Sequence, residues 1–232
     1  MADWLTADEW LAVALSIRVS LWATAISLPF GLWIGWLLAR RRFIGQTVLN
    51  AAVHLPLILP PVVTGYLLLL AFGRHGPAGR FLESAFGLIL AFRWTGAVLA
   101  AAVMAFPLMV RAIRLSFEAV DARLEQAAST LGASPVMVFL TVTLPLILPG
   151  IIAGSVLAFA KAMGEFGATI TFVANIPGQT QTMPTAIFAL LQVPDGDARA
   201  FRLVLISIGI AVAAVVGSEL MARAVSRRIA GR

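Results

Sequence analysis

The chain has 232 residues, 60% of them hydrophobic and 12% charged, with no cysteine and a formal net charge of +6. Soluble domains carry about 25% charged residues, so a water-soluble fold of this length could not cover its apolar surface, and a mean hydropathy of +0.96 describes a multi-spanning membrane protein of one domain. The composition excludes a disordered chain, a disulfide-stapled domain, a thiolate metal site and a thiol nucleophile, and the basic excess reads as residues flanking membrane spans rather than a nucleic-acid footprint.

A helix needs about 20 mostly apolar residues to cross a bilayer. Asp3, Asp8 and Glu9 open the chain, unlike the positive start of a signal peptide. The first apolar run covers 11–39 with Arg18 as its only charge, and Arg40, Arg41 and Arg42 follow at once. The second run, 47–72, is uncharged and contains the proline-rich string HLPLILPP. Further runs cover 94–113, 144–163 and 203–222, and a basic tail follows at 223–232. Trp4, Trp10, Trp33, Trp36 and Trp94 fall near span ends as an interfacial belt, whereas Trp22 lies inside the first span and reads as a packing residue.

Arginine distribution sets the orientation. With the N-terminus outside, the inner segments hold ten arginines: Arg40, Arg41, Arg42, Arg111, Arg114, Arg123, Arg223, Arg227, Arg228 and Arg232. The outer segments hold five: Arg74, Arg80, Arg93, Arg199 and Arg202. This asymmetry predicts five spans, N-out and C-in. The uncharged stretch 166–194 is long enough to cross, but its middle reads NIPGQTQTMP. Lipid cannot satisfy such a backbone and such side chains. We read two short apolar pieces, 166–174 and 183–193, around a polar turn at the outer face or re-entering the protein.

The inner segment 121–145 is the most informative. Asp121, Arg123 and Glu125 make its start water-facing, while Ala127, Ala128 and Leu131 recur at helical spacing. Gly132 is placed to end that helix in a left-handed conformation. Ser134 can cap the next helix, with Pro135 at its first position. The expected product is a short surface helix whose alanines permit close approach by another protein.

The run Gln126-Ala127-Ala128-x3-Gly132, followed by Val142-Thr143-Leu144-Pro145, resembles the EAA loop of bacterial ABC importer permeases, EAA-x3-G-x9-I-x-LP. Gln126 stands where the family has glutamate, with Glu125 one residue earlier, and Val142 replaces isoleucine. The strings LEQAASTLGASP and GEFGATITFVANIPGQTQTMPTAI are similar to the permease subunits of molybdate ABC importers. The Gly164-Glu165-Phe166-Gly167 to Pro177-Gly178 stretch is also similar to sulfate/thiosulfate permeases.

The resemblance, which covers about 11–222, implies an all-α type I importer transmembrane fold. Residues Glu125, Gln126, Ala127, Ala128, Gly132, Ala133, Ser134 and Pro135 would form a cytoplasmic coupling helix and turn inserted into a cleft of an ATPase. A homodimer of permeases in the bacterial inner membrane would stand on two ATPase subunits and receive the oxyanion from a periplasmic binding protein. The chain contains no GxxxxGK[ST] phosphate loop, so ATP and Mg would be used by the partner, and no cofactor is expected here. No HExxH, GxSxG or carboxylate–histidine cluster suggests a catalytic or metal site.

Candidate pathway residues are Arg18, Lys161, Glu165, Thr169, Thr171 and Asn175. For Arg18 two readings stand: it snorkels outward, or it attracts a dianion. Lys161 and Glu165 are four apart and would pair on one helix face. Thr169, Thr171 and Asn175, with Gln179 to Thr182 beyond them, either offer neutral donors that could pass an oxyanion along without trapping it, or form a solvated outer loop that touches the binding protein. His54 reads as a satisfied core residue and His75 as exposed. The same machine carrying sulfate or tungstate is the nearest alternative. A stand-alone secondary transporter is more remote, because no repeated halves are visible.

Overall fold

The structure is a computed structural model and describes residues 4–229. Asp3, Arg232 and the end of the basic tail lie outside the described residues. Those described form helices α1 (Ala7–Arg40), α2 (Gln46–Ile58), α3 (Pro61–Phe72), α4 (Pro77–Phe86), α5 (Trp94–Ala119), α6 (Ala122–Thr130), α7 (Pro135–Val138), α8 (Leu144–Met163), α9 (Gly167–Val173), α10 (Met183–Leu190) and α11 (Asp197–Ile229), with a π-helical turn, Phe139–Thr143, between α7 and α8.

Among the described residues, four helical stretches are long and apolar enough to cross a membrane: Ala7–Arg40, Trp94–Ala119, Pro135–Met163 and Asp197–Ala222. The apolar run 47–72 is not one straight span. It divides into α2 and α3, bent by 114°. The cause is local. Leu59 precedes a proline and takes an extended conformation (φ −70°, ψ 142°), and Pro60 and Pro61 bring no N–H groups to bond back into α2. If the bent pair counts as one crossing, the total is five.

Small residues set the helix spacing, as expected where lipid supplies no hydrophobic drive between helices. A Cβ on Gly31 would lie 2.9 Å from Met109 Sδ, and one on Gly35 would lie 2.9 Å from Ile113 Cγ2, so α1 and α5 run side by side. A Cβ on Gly150 would collide with Ser116 Oγ, so α8 lies close against α5. Met104, Met109, Ile113, Phe117 and Ile147 fill the centre. Trp22, by contrast, is 52% exposed on the outer surface of α1. It is not a packing residue within this chain, and an apolar ring on that face suits lipid.

The two ends of the bundle are fastened separately. At one end, buried Glu9 accepts from Arg199 Nε at 2.8 Å and from the Thr6 backbone N–H at 2.7 Å, tying the start of α1 to that of α11. At the other, Arg114 donates to Asn50 Oδ1 at 3.1 Å and to Glu118 at 2.7 Å, tying α5 to α2.

Candidate functional site

The segment with the strongest sequence signal lies at the end of the bundle where α1 finishes and α5 turns into α6. Asp121 caps α6, accepting from the Arg123 N–H at 2.9 Å. Leu131 closes the helix, Gly132 follows at φ +89°, and the Ala133 N–H returns to the Ala128 carbonyl at 3.2 Å. Ser134 then accepts from the Met137 N–H at 3.3 Å, with Pro135 as the first residue of α7. The turn, cap and helix order expected from 121–135 are all present.

No residue of α6 is buried. Gln126, Ala127, Gly132, Ser134 and Pro135 are exposed, while Glu125, Ala128 and Ala133 are half-buried. Leu131 is 89% exposed. A surface of small and apolar side chains with almost no cover from its own chain is suited to a protein partner. Glu125 differs from its neighbours. Its Oε1 accepts from Arg40 Nη2 at 3.2 Å and from Thr143 Oγ1 at 2.7 Å. It faces an open groove of about 710 Å³ whose lining includes Trp36, Phe117, Ser129, Pro135 and Thr143.

The candidate pathway residues sit toward the opposite end. Arg18 is exposed, with its guanidinium carbon 3.9 Å from the centroid of the Trp94 ring. It borders a cavity of about 180 Å³ together with Gly178 and Gln181. Lys161 Nζ lies 3.0 Å from Glu165 Oε2, so the expected i,i+4 pair forms. The other Glu165 oxygen accepts from the Ala168 N–H at 3.0 Å, so this buried carboxylate also starts α9. The 166–194 stretch forms α9 and α10 around a polar turn.

The hydroxyls and amides there are largely committed to local structure. Thr171 donates to the Gly167 carbonyl at 2.8 Å. Thr180 accepts from the Ile176 N–H at 3.0 Å, and the Thr182 N–H donates to Thr185 Oγ1 at 2.9 Å. Asn175 donates to the Thr185 carbonyl at 3.4 Å, which orients its amide and leaves Oδ1, an acceptor, buried without a partner. That acceptor would repel an oxyanion. Thr169 is buried. His54 Nδ1 is 2.8 Å from the Asn50 carbonyl of its own helix, and His75 is exposed.

Residues 27–231 match the family model described as binding-protein-dependent transport system inner membrane component. The chain belongs to this family. It is a multi-pass inner membrane protein and the non-catalytic permease subunit of an ABC importer. Among its relatives, the molybdenum transport system permease protein ModB of Escherichia coli (strain K12) is 59% identical over 98% of this chain and 99% of its own. ModB of Haemophilus influenzae is 50% identical over 94% and 95%. The probable sulfate transport system permease protein cysT of Chlorokybus atmophyticus is 35% identical over 83% and 68%.

Solved structures carry the same fold at low identity. The MetNI methionine ABC transporter superposes with a TM-score of 0.69 at 15% identity, covering 97% of this chain and 99% of that chain. A bacterial ABC transporter that imports the acidic polysaccharide alginate gives 0.68 at 17%, covering 98% and 85%. The permease thus has the type I ABC importer transmembrane fold.

Arg40 and Thr143 as partners of Glu125, and Trp94 as the platform for Arg18, carry no signal in the sequence. The Arg40–Glu125 contact spans 85 residues, and no local spacing encodes it. Thr143 did stand inside the quoted VTLP string, but nothing there marked its hydroxyl.

Proposed function

We propose that this permease moves molybdate from periplasm to cytoplasm by alternating access, driven by ATP that a separate ATPase hydrolyses. The observation that carries the substrate is the 59% identity to an Escherichia coli molybdenum transport permease across nearly all of both chains. The string GEFGATITFVANIPGQTQTMPTAI, from Gly164 to Ile187, resembles the molybdate group and lies within that same stretch of identity.

In this reading residues 11–222 are the transmembrane domain, N-out and C-in, and two copies enclose the pathway above two ATPase subunits. A periplasmic binding protein delivers the oxyanion. The segment 121–145 lies on the cytoplasmic side, and Glu125 to Pro135 form the coupling surface that enters the ATPase. What supports that placement is an exposed α6 with a left-handed glycine turn and a capped α7, at the end of the bundle that holds Arg40 and Arg114. Arg18, beside Gln181 at the other end, is the residue best placed to attract a dianion, since an exposed guanidinium on an aromatic ring keeps donors free. Lys161 and Glu165 serve the α8–α9 corner, and Thr169, Thr171 and Asn175 shape the wall near it rather than bind the ion.

The test is uptake into proteoliposomes holding the permease, its ATPase and the binding protein, with sulfate and tungstate as competitors. Molybdate uptake that excess sulfate does not suppress is the expected result. ATP-driven sulfate uptake without molybdate uptake would keep the machine and overturn the substrate.

A further inference from the structure

The coupling surface on α6 has almost no grip on the bundle that it has to move. None of its residues is buried, and Leu124 and Leu131 point away from the spans at 49% and 89% exposure. Apart from the chain at its two ends, the polar connection to the spans among the described residues runs through Glu125. One carboxylate oxygen accepts from Arg40 Nη2, at the end of α1, and from Thr143 Oγ1, where α8 begins. The same Arg40 nitrogen reaches the Val120 carbonyl at 3.4 Å, in the elbow between α5 and α6.

The π-helical turn explains how Thr143 comes to be there. The Leu144 N–H bonds five residues back, to the Phe139 carbonyl. The extra residue in that turn shifts the register of the side chains that follow it. Thr141, before the shift ends, is exposed and donates to its own helix at 2.6 Å. Thr143 is 4% exposed and donates to Glu125. A polar side chain is thereby buried at a distorted turn whose hydrogen bond goes to a different element.

We propose that Glu125 is a strut, a positioning residue that fixes the coupling helix to α1 through Arg40 and to α8 through Thr143, so that displacement of α6 is delivered to both spans together. The inference rests on the reading of 121–145 as the coupling segment. Hydrogen bonds to a charged group are stronger than neutral ones and depend on direction, so they resist the rotation of a short helix about its two linkers. Without them α6 could still dock on the ATPase, but it would rock rather than push.

Thr143 and Arg40 provide the test, because Thr143 is 4% exposed and lies outside the exposed α6 surface. The reconstituted complex is assayed for oxyanion taken up per ATP hydrolysed, and for ATPase retained on co-purification. In Thr143→Val the ATPase should still co-purify and hydrolysis should continue. Uptake per ATP should fall about tenfold, the change expected for one lost hydrogen bond to a charged group. Thr143→Ser, which keeps the hydroxyl, should restore it. Arg40→Gln, at a half-buried position, should show the same loss, and it decides the matter should Thr143→Val not accumulate. Wild-type uptake per ATP in Thr143→Val or Arg40→Gln would overturn the strut, as would loss of the ATPase from the complex. Gly132→Val separates the two levels. If it is uncoupled while the strut variants are not, only the strut falls; if all remain coupled, the coupling-segment reading falls with it.

Discussion

Gly65 of α3 lies directly on Ala168 of α9: a Cβ at Gly65 would come 2.6 Å from the Ala168 carbonyl oxygen and 2.8 Å from its Cα. From the other side, a Cβ on Gly167 would come 2.7 Å from Pro61 Cβ. The two short helices created by backbone breaks therefore pack against each other through glycine. The bent second span and the 166–194 hairpin form one unit, and a change in either must be felt by the other.

Gly65→Val should disrupt that contact, because the new atoms meet backbone that cannot rotate away. We expect a loss of about 1–3 kcal/mol, typical of overpacking, read as a lower unfolding temperature in detergent together with impaired uptake. Gly209→Ala is the control, since a Cβ there meets nothing within 4 Å.

Gly132 presents the opposite case. Nothing lies within 4 Å of its added Cβ, yet its φ is +89°. The penalty for substitution comes from backbone conformation, about 1–2 kcal/mol for an ordinary residue and least for asparagine. Gly132→Asn should stay close to wild type in ATP-driven uptake, whereas Gly132→Val should lose coupling while remaining inserted. Equal uptake by both variants would show that the turn geometry does not matter.

Ser16 Oγ accepts from the Met183 N–H at 2.6 Å, and both residues are buried. The bond anchors the first residue of α10 to α1. Ser16→Ala leaves that N–H without a partner, at a cost of about 1–3 kcal/mol. Limited proteolysis should then cut the turn at 174–182 sooner than in wild type.

Arg18 separates charge from packing. Arg18→Gln should lower initial uptake by about tenfold at low ionic strength, the lower range of electrostatic steering, and flatten its salt dependence. Arg18→Lys keeps the charge but loses the flat contact with Trp94, so its salt dependence should survive. Uptake unchanged in Arg18→Gln would return this residue to a purely structural role on the Trp94 ring.

These residues also mark how far the sequence could be read. Gly132, Ser134 and Pro135 act through their own backbone and nearest neighbours, so their turn and cap were legible in one segment. The prolines at 60 and 61 signalled a break, but hydropathy carries no direction, and 47–72 read as a single run where the chain turns by 114°. Trp22 read as packed because it lies mid-span; in a membrane, an apolar face can be satisfied by lipid instead of protein. Thr180 and Thr182 looked like a row of free donors, since composition cannot show that their partners are Ala174, Ile176 and Thr185. Contacts such as Arg18–Trp94 and Arg40–Glu125 arise only once distant helices are laid side by side.

In the proposed mechanism this chain is a pathway without an engine. The direct measurement is oxyanion accumulation in proteoliposomes made with the permease alone, with its ATPase, and with ATPase and ATP together, each supplied with the loaded binding protein. Accumulation is expected only in the third preparation. Accumulation by the permease alone, driven by an ion gradient, would contradict it and place the energy source within this chain.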